Sequence, residues 1–208
     1  MYLSKIPSLL QCCFPKYLWK VNTDAKKIYL TFDDGPVAGI TEFVLAELEK
    51  YQAKATFFML GKQVKKHPDL AKKVLAAGHS IGNHSYSHKN GWQTEDSIYL
   101  QDAQKGQDIL TKTLSFSPSL FRPPYGKIKS SQANALLASH QIIMLDILCG
   151  DFDATRSPEK CAEIIEKYAE KGSIIVFHDS EKAFNNMKYA LPRVLESFAQ
   201  RGFSFEKL

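Results

Sequence analysis

From Lys27 onward, the sequence alternates between short apolar runs and longer amphipathic stretches. The runs are rich in β-branched and aromatic residues, and several are apolar at almost every position. Such runs are typical of strands buried on both faces of a sheet. We predict strands at 28–32, 55–60, 79–82, 119–122, 141–148, 173–178 and 203–206.

The stretches between these runs have the periodicity of helices. Ile40, Val44 and Leu48 recur at helical spacing, and Pro68 followed by Asp69 is typical of the first turn of a helix. Strands that alternate with helices in this way form a parallel sheet, either open or closed into a barrel. No linker or repeat interrupts the alternation, so we predict an α/β fold in a single domain.

The composition excludes several other classes of protein. Of the 208 residues, 44% are hydrophobic and 24% are charged, which excludes a disordered or collagen-like chain. No run approaches the roughly 20 apolar residues of a membrane-spanning helix. The net charge of +5 comes without a basic stripe and interleaved aromatic residues, so we expect no nucleic-acid partner.

The cysteines and the first residues bear on the compartment. Cys12 and Cys13 are adjacent, which argues against a framework of paired disulfide bridges. The apolar stretch 6–14 is interrupted by polar residues and proline, and no small-residue cleavage site follows it. On sequence alone we expect a cytoplasmic, monomeric chain, with thiols that are reduced or with a fold that is indifferent to their redox state.

Ionisable residues follow five of the predicted strands, at or just after the point where each strand ends. Ligands gather at the carboxyl ends of strands in a parallel sheet or barrel. Five strands that each deliver such a residue to one edge are hard to obtain by chance, so we predict a functional site there. The residues are Asp33, Asp34, His84, His88, Arg122, Asp151 and His178.

The segment TFDDGP places two carboxylates directly after the first strand. Side chains of neighbouring residues on an extended backbone diverge, so we expect Asp33 and Asp34 to have different roles. Gly35 and Pro36 turn the chain away and leave both carboxylates at the edge of the sheet. For this segment alone, a structural turn with a helix-capping Asp is an equally good interpretation.

The segment HSYSH carries His84 and His88 four residues apart, a spacing that lets both imidazoles reach one Zn²⁺. One additional Asp gives three protein ligands, the number used by a catalytic zinc site that keeps a position open. No Glu follows the first histidine, so a base has to come from Asp33 or Asp34. Two histidines at this spacing also occur by chance, and only the combination of both segments favours a metal.

Two further segments supply polar groups to the same edge. In RPPYG, Arg122 can bind a carboxylate, and the backbone N–H of Tyr125 can stabilise an oxyanion. Asp151 can hydrogen-bond the imidazole of His178 and raise its pKa, which suits a general acid. The structural alternatives are an exposed arginine in a turn and a histidine satisfied within the core.

With these segments in order, the chain resembles the polysaccharide deacetylases of the NodB-homology type, carbohydrate esterase family 4. The resemblance covers nearly all of 27–208 and rests on TFDDGP, ATFFMLG, GHSIGNHSYSH, FRPPYG and IIVFHD. It implies a distorted (β/α)7 barrel. We expect residues 1–26 to form an N-terminal extension packed on a catalytic domain at 27–208.

The resemblance implies one divalent metal, usually zinc and otherwise a cation such as Co²⁺ or Mn²⁺, bound by Asp34, His84 and His88. Asp33 is then the general base, and Arg122 holds it in place. The implied reaction removes N-linked acetyl groups from acetylated amino sugars, in peptidoglycan, chitin-like oligomers or a glycan precursor. The products are acetate and a free amine.

The remaining roles also follow from the resemblance. The Tyr125 N–H stabilises the oxyanion, and His178, tuned by Asp151, protonates the departing amine. We expect the substrate to contact Tyr125, Trp92, Phe152 and Val176.

The sequence departs from the family's pattern near the expected acetyl pocket. Leu145 and Phe152 stand where the family usually has tryptophan, and Val176 stands where it usually has leucine. Two alternatives therefore stay open: hydrolysis of another amide or of sugar O-acetyl esters such as acetylxylan, and, more distantly, a non-catalytic glycan-binding domain. The family usually works outside the membrane, whereas this sequence shows no export signal.

Overall fold

A computed structural model describes residues 3–208 of the chain. Its strands are β1 (Lys27–Asp33), β2 (Ala55–Met59), β3 (Ser80–Asn83), β4 (Leu120–Phe121), β5 (Gln141–Ile142), β6 (Ile147–Leu148), β7 (Ile174–His178) and β8 (Ser204–Phe205). Its helices are α1 (Ser8–Cys13), α2 (Ile40–Lys50), α3 (Gly61–Lys66), α4 (Pro68–Ala76), α5 (Asp96–Leu114), α6 (Ser130–Leu136), α7 (Pro158–Tyr168) and α8 (Phe184–Gln200).

The strands form one curled, parallel sheet in the order β5-β4-β3-β2-β1-β7-β6, and β8 pairs with the start of β1. The last residue of β1, Asp33, is in register with Phe58 of β2 and His178 of β7. Strands that end in register bring the residues that follow them to a common edge. The predicted α/β fold, a distorted seven-stranded barrel in a single domain, is confirmed.

The predicted strand 141–148 is wrong as a single strand. Its ends form β5 and β6, which pair with β4 and β7 and so lie on opposite edges of the sheet. The chain crosses between these edges at Ile143 to Asp146, where the carbonyls of Ile143 and Met144 accept hydrogen bonds from the Arg122 guanidinium. The sheet therefore has an opening between β5 and β6, which we call the seam.

Both faces of the central strands are buried, which explains their continuous apolar sequence. Phe32 of β1 stacks between Phe57 of β2 and Phe177 of β7, with ring centroids 5.0 and 5.9 Å apart. These rings belong to the main core, which includes residues of α2, α7 and α8. Side chains alternate along a strand, so Thr31 and Asp33 point to the opposite face, inside the curled sheet. Among residues 3–208, none of the helices combines the length and the hydropathy of a membrane span.

Residues that precede β1 lie along the seam. Lys5 pairs with Ile147 in antiparallel fashion, and Leu18 forms a parallel bridge with Ile143. Between these bridges, the side chain of Asp146 accepts hydrogen bonds from Lys5, Gln11 and Ser173, of which the Lys5 and Ser173 contacts measure 2.7 and 2.6 Å. The division of the chain at residue 26 stays a prediction.

The Lys5–Asp146 pair gives a stability prediction. The Asp146 side chain is 1% exposed, so Lys5→Met leaves a buried carboxylate without its cation, and we expect a loss of about 2 kcal/mol in the free energy of unfolding. The control is Lys20→Met, because Lys20 pairs with Glu170, whose side chain is 61% exposed, and such pairs contribute less than about 1 kcal/mol. Urea denaturation measures the free energy of unfolding of both variants. Equal losses in the two variants would contradict a stabilising role for the Lys5–Asp146 pair.

Candidate active site

The central strand ends in a buried carboxylate that is paired with an arginine. Asp33 is 5% exposed, and Arg122 Nη1 donates a hydrogen bond of 2.8 Å to its Oδ1. The same Nη1 donates to the Thr31 hydroxyl, and Nη2 donates to the Met144 carbonyl. The guanidinium also lies 4.1 Å from the centre of the Phe58 ring. Arg122 therefore has a fixed orientation and holds Asp33 in one position.

This environment keeps Asp33 ionised. Burial by itself raises the pKa of Asp33, but the positive charge of Arg122, together with His84 and His178, lowers the pKa below its ordinary value. The second oxygen of Asp33 lies 3.9 Å from His84 Nε2. A charged carboxylate is thus directed toward the histidine segment.

Asp34, His84 and His88 converge beside Asp33. Their potential ligand atoms lie within 4.8 Å of one another. Asp34 Oδ1 is 3.3 Å from His88 Nε2 and 3.8 Å from His84 Nε2. Although Asp34 Oδ1 is shielded from solvent, it accepts no hydrogen bond from the described residues. A buried carboxylate oxygen without a hydrogen-bond partner destabilises the fold. A bound cation would remove this cost by pairing with the oxygen.

Both histidines direct Nε2 toward Asp34 Oδ1. His84 Nδ1 lies 2.8 Å from the Arg122 carbonyl, which can only accept, so Nδ1 donates this hydrogen bond and Nε2 is the ring atom that faces Asp34. Burial, followed by the proximity of His84, lowers the pKa of His88 to about 4, so that this imidazole is neutral near pH 7. One carboxylate and two imidazoles are a ligand set typical of divalent zinc. The residues present therefore fit a metal ion.

Carboxylates outside the predicted set support the two ligand segments. Asp102 on α5 accepts the N–H groups of Tyr86 and Ser87 at 3.2 and 3.0 Å and the Ser87 hydroxyl at 2.6 Å. Asp179 accepts the Gly35 N–H at 3.0 Å and the Thr41 hydroxyl at 2.6 Å. A β-carbon on Gly35 would overlap the Asp179 carboxylate, so a glycine is required there.

This support matters because the ligand segments adopt an uncommon backbone conformation. Asp34, Ser85 and His88 have positive φ angles of 81°, 67° and 64°. Residues other than glycine rarely adopt such angles unless surrounding contacts impose them. Sequence reasoning missed Asp102 and Asp179. Asp179 directly follows His178, and Asp102 lies within the long helix, near its buried residues Tyr99 and Ala103.

On the other side of Asp33, His178 forms a pair with Asp151. His178 Nδ1 donates a hydrogen bond to Asp151 Oδ1, and the His178 backbone N–H donates one to Oδ2. Each of these hydrogen bonds measures 2.7 Å. Burial lowers the pKa of His178, but the charge and hydrogen bond of Asp151, with smaller contributions from Asp34 and Asp33, raise it to about 9. Asp151 is itself 1% exposed. The imidazole is therefore protonated near pH 7.

The predicted substrate contacts lie at different depths. Tyr125 is 63% exposed, has a φ of 59° and places its ring 4.4 Å from that of His88. Trp92 is 61% exposed, and its indole N–H donates to the Ile128 carbonyl. Phe152 lies 5.1 Å from the His178 ring. Val176 is 1% exposed and lies two residues before His178 on the same strand face.

The profile of the family described as polysaccharide deacetylase matches residues 20–142. The chain belongs to this family. It is 34% identical over 189 residues to a peptidoglycan-N-acetylglucosamine deacetylase of Bacillus cereus. This alignment covers 90% of this chain and 88% of that relative. It is 32% identical over 185 residues to the peptidoglycan-N-acetylglucosamine deacetylase PgdA of Listeria monocytogenes, and this alignment covers 86% of this chain. This polysaccharide deacetylase spans 37% of PgdA.

Solved structures show the same fold. The crystal structure of a peptidoglycan N-acetylglucosamine deacetylase in complex with an N-oxidanyl-benzamide superimposes with a TM-score of 0.88 and 28% identity. The match covers 93% of this polysaccharide deacetylase and 91% of the other chain. Together with family membership, these relatives class the chain as a hydrolase that acts on acetyl groups of polysaccharides.

Proposed function

We propose that the chain is a metal-dependent N-deacetylase of an acetylated amino sugar, with N-acetylglucosamine of peptidoglycan as the first candidate. The observation that carries this proposal is the ionised Asp33 beside three convergent ligand side chains. The names of the relatives, which are peptidoglycan deacetylases, support the choice of sugar.

Asp34, His84 and His88 would hold the cation, which we propose to be Zn²⁺, or Co²⁺ or Mn²⁺ in its place. When bound, a divalent cation supplies a Lewis acid that polarises a carbonyl and acidifies water. The unpartnered Asp34 Oδ1 and the neutral imidazole of His88 support this assignment.

Asp33 takes a proton from the attacking water in this proposal. Its lowered pKa keeps it ionised, and the Arg122 hydrogen bond occupies only Oδ1, so that Oδ2 can accept the proton. The water oxygen forms a bond to the acetyl carbonyl carbon. The backbone N–H of Tyr125 would donate to the resulting oxyanion.

His178 then donates a proton to the sugar nitrogen. Asp151 binds Nδ1, so the proton at Nε2 is the one transferred. The carbon–nitrogen bond breaks with its electron pair going to nitrogen, which leaves acetate and a free amine. The exposed rings of Trp92 and Tyr125, with Phe152, would contact the sugars on either side of this centre.

Acetate release tests the proposal. We expect the pure protein to release acetate from N-acetylated chitooligosaccharides and from peptidoglycan, to lose this activity after exhaustive chelation and to regain it with zinc or cobalt. Release from acetylated xylan alone would assign the chain to O-acetyl esters instead. Binding of glycans without any acetate release by metal-loaded protein would overturn the catalytic proposal.

Asp102 gives a prediction that does not depend on catalysis. If Asp102 holds the histidine segment in its strained conformation, Asp102→Ala should weaken Zn²⁺ binding by roughly 10- to 100-fold, as loss of groups that orient ligands usually does. Competition with a chromogenic chelator measures the affinity. The matched control is Asp108→Ala on the same helix, where the carboxylate binds only the exposed Gln104 among the described contacts. Equal affinities in the two variants would contradict this role.

A further inference from the structure

Exposed apolar side chains are concentrated in a short segment that precedes the barrel. Four of the ten exposed large apolar side chains in the described chain lie between residues 3 and 14. They are Leu3, Leu9, Leu10 and Phe14, with exposures of 54, 79, 39 and 43%. Cys12 and Cys13 are exposed in the same segment, and a free cysteine behaves as a small apolar residue. The sites described above use none of these residues.

The packing of α1 explains why these side chains face outward. Gln11 points to the body of the protein, where its amide donates to the Ile6 carbonyl and to Asp146. Residues two positions away on a helix are rotated by about 200°, so Leu9 and Cys13 lie on the side opposite Gln11. Leu10 lies at the margin of this side. We call Leu3, Leu9, Leu10, Cys13 and Phe14 the apolar face.

The charge around the apolar face is positive. Residues 3–23 contain three lysines and no Asp or Glu. Lys5 and Lys20 pair with Asp146 and Glu170, whereas Lys16, two residues after Phe14, is exposed. A groove of about 350 Å³ beside Phe14 is lined by Lys16, Tyr17, Ser130, Asn134 and Leu137, among others, and by no carboxylate. The surface therefore combines apolar side chains with a cation.

We propose that the apolar face binds the surface of an anionic lipid bilayer, with the chain lying on the membrane and not crossing it. Exposed leucine and phenylalanine beside lysine is the composition of interfacial segments that insert among lipid headgroups, and anionic lipid adds attraction for the lysine. A second copy of the chain fits less well. A stable interface uses roughly 20–30 residues on each side, far more than this segment offers.

Co-sedimentation with vesicles tests this proposal. The protein is mixed with vesicles of phosphatidylglycerol and phosphatidylcholine, or of phosphatidylcholine alone, at low and high salt. We expect binding to the anionic vesicles that weakens with salt, and a bound fraction lowered at least about fivefold in the Leu9→Ser, Leu10→Ser double variant. The matched control is Ile98→Ser with Phe116→Ser, which removes two apolar side chains of 45 and 39% exposure elsewhere.

Three results would overturn the proposal. They are the absence of binding to either vesicle, equal binding to both, and a double variant that binds as the parent does. Sedimentation velocity is measured in parallel. A dimer that the double variant abolishes would assign the apolar face to a second copy of the chain.

Discussion

Asp33→Asn is expected to reduce the rate of acetate release by roughly 10³-fold, because the substituted amide cannot take the proton that a general base removes from water. The substitution keeps the shape of the side chain, so Arg122 retains an oxygen to bind. Asp34, His84 and His88 are unchanged, so we expect the zinc content, measured by elemental analysis, to stay close to that of the parent. Asp33→Asn should therefore lower the rate of turnover without lowering the zinc content.

The comparison variant for Asp33→Asn is His84→Ala, which removes a proposed ligand and should lose both zinc and activity. Asp33 and His84 are 5 and 2% exposed, so a thermal unfolding curve for each variant shows whether the fold persists. If Asp33→Asn loses as much zinc as His84→Ala, the proposed division of roles between Asp33 and Asp34 is wrong.

The edge of the sheet that carries the site could be predicted because the strand signals are local. The runs that end near Asp33 and His178 are apolar at almost every position, and parallel strands put their carboxyl ends on one edge. Register then brings Asp33 and His178 into adjacent positions, and residues following Asn83 and Phe121 join them. The roles of the individual residues could be predicted only with the help of the family's motifs.

The split of the run 141–148 was not predictable from propensity, because QIIMLDIL is apolar and β-branched on both sides of its centre. Asp146 within the run was the available signal, since a buried carboxylate in a strand needs partners. Those partners, Lys5 and Ser173, lie far away in sequence. The supporting role of Asp102 was hidden for the same reason: its contacts join α5 to a loop.

Asp151→Asn is expected to move the alkaline limb of the pH–rate profile to lower pH. In the parent, Asp151 holds the pKa of His178 at about 9, against the effect of burial, so the imidazole keeps its proton through neutral pH. A general acid works only while protonated, so the rate falls as pH rises through this pKa. Without the charge of Asp151, burial lowers the pKa, while the charges of Asp34 and Asp33 still raise it in part. The rate limb therefore shifts toward acid.

The expected decrease in the pKa of His178 determines at which pH values Asp151→Asn should be compared with the parent. A decrease of about two units in the pKa of His178 removes roughly nine-tenths of its protonated form near pH 8, and leaves most of it near pH 6. We therefore expect a deficit in kcat of about tenfold or more near pH 8 that shrinks near pH 6, beyond any loss of orientation common to both. Asp153→Asn, at a neighbouring carboxylate that binds Thr155, should leave the limb in place. A deficit that is the same at every pH would show that Asp151 orients His178 without setting its proton affinity. The parent and both variants share the same proposed metal ligands, so the comparison isolates the histidine.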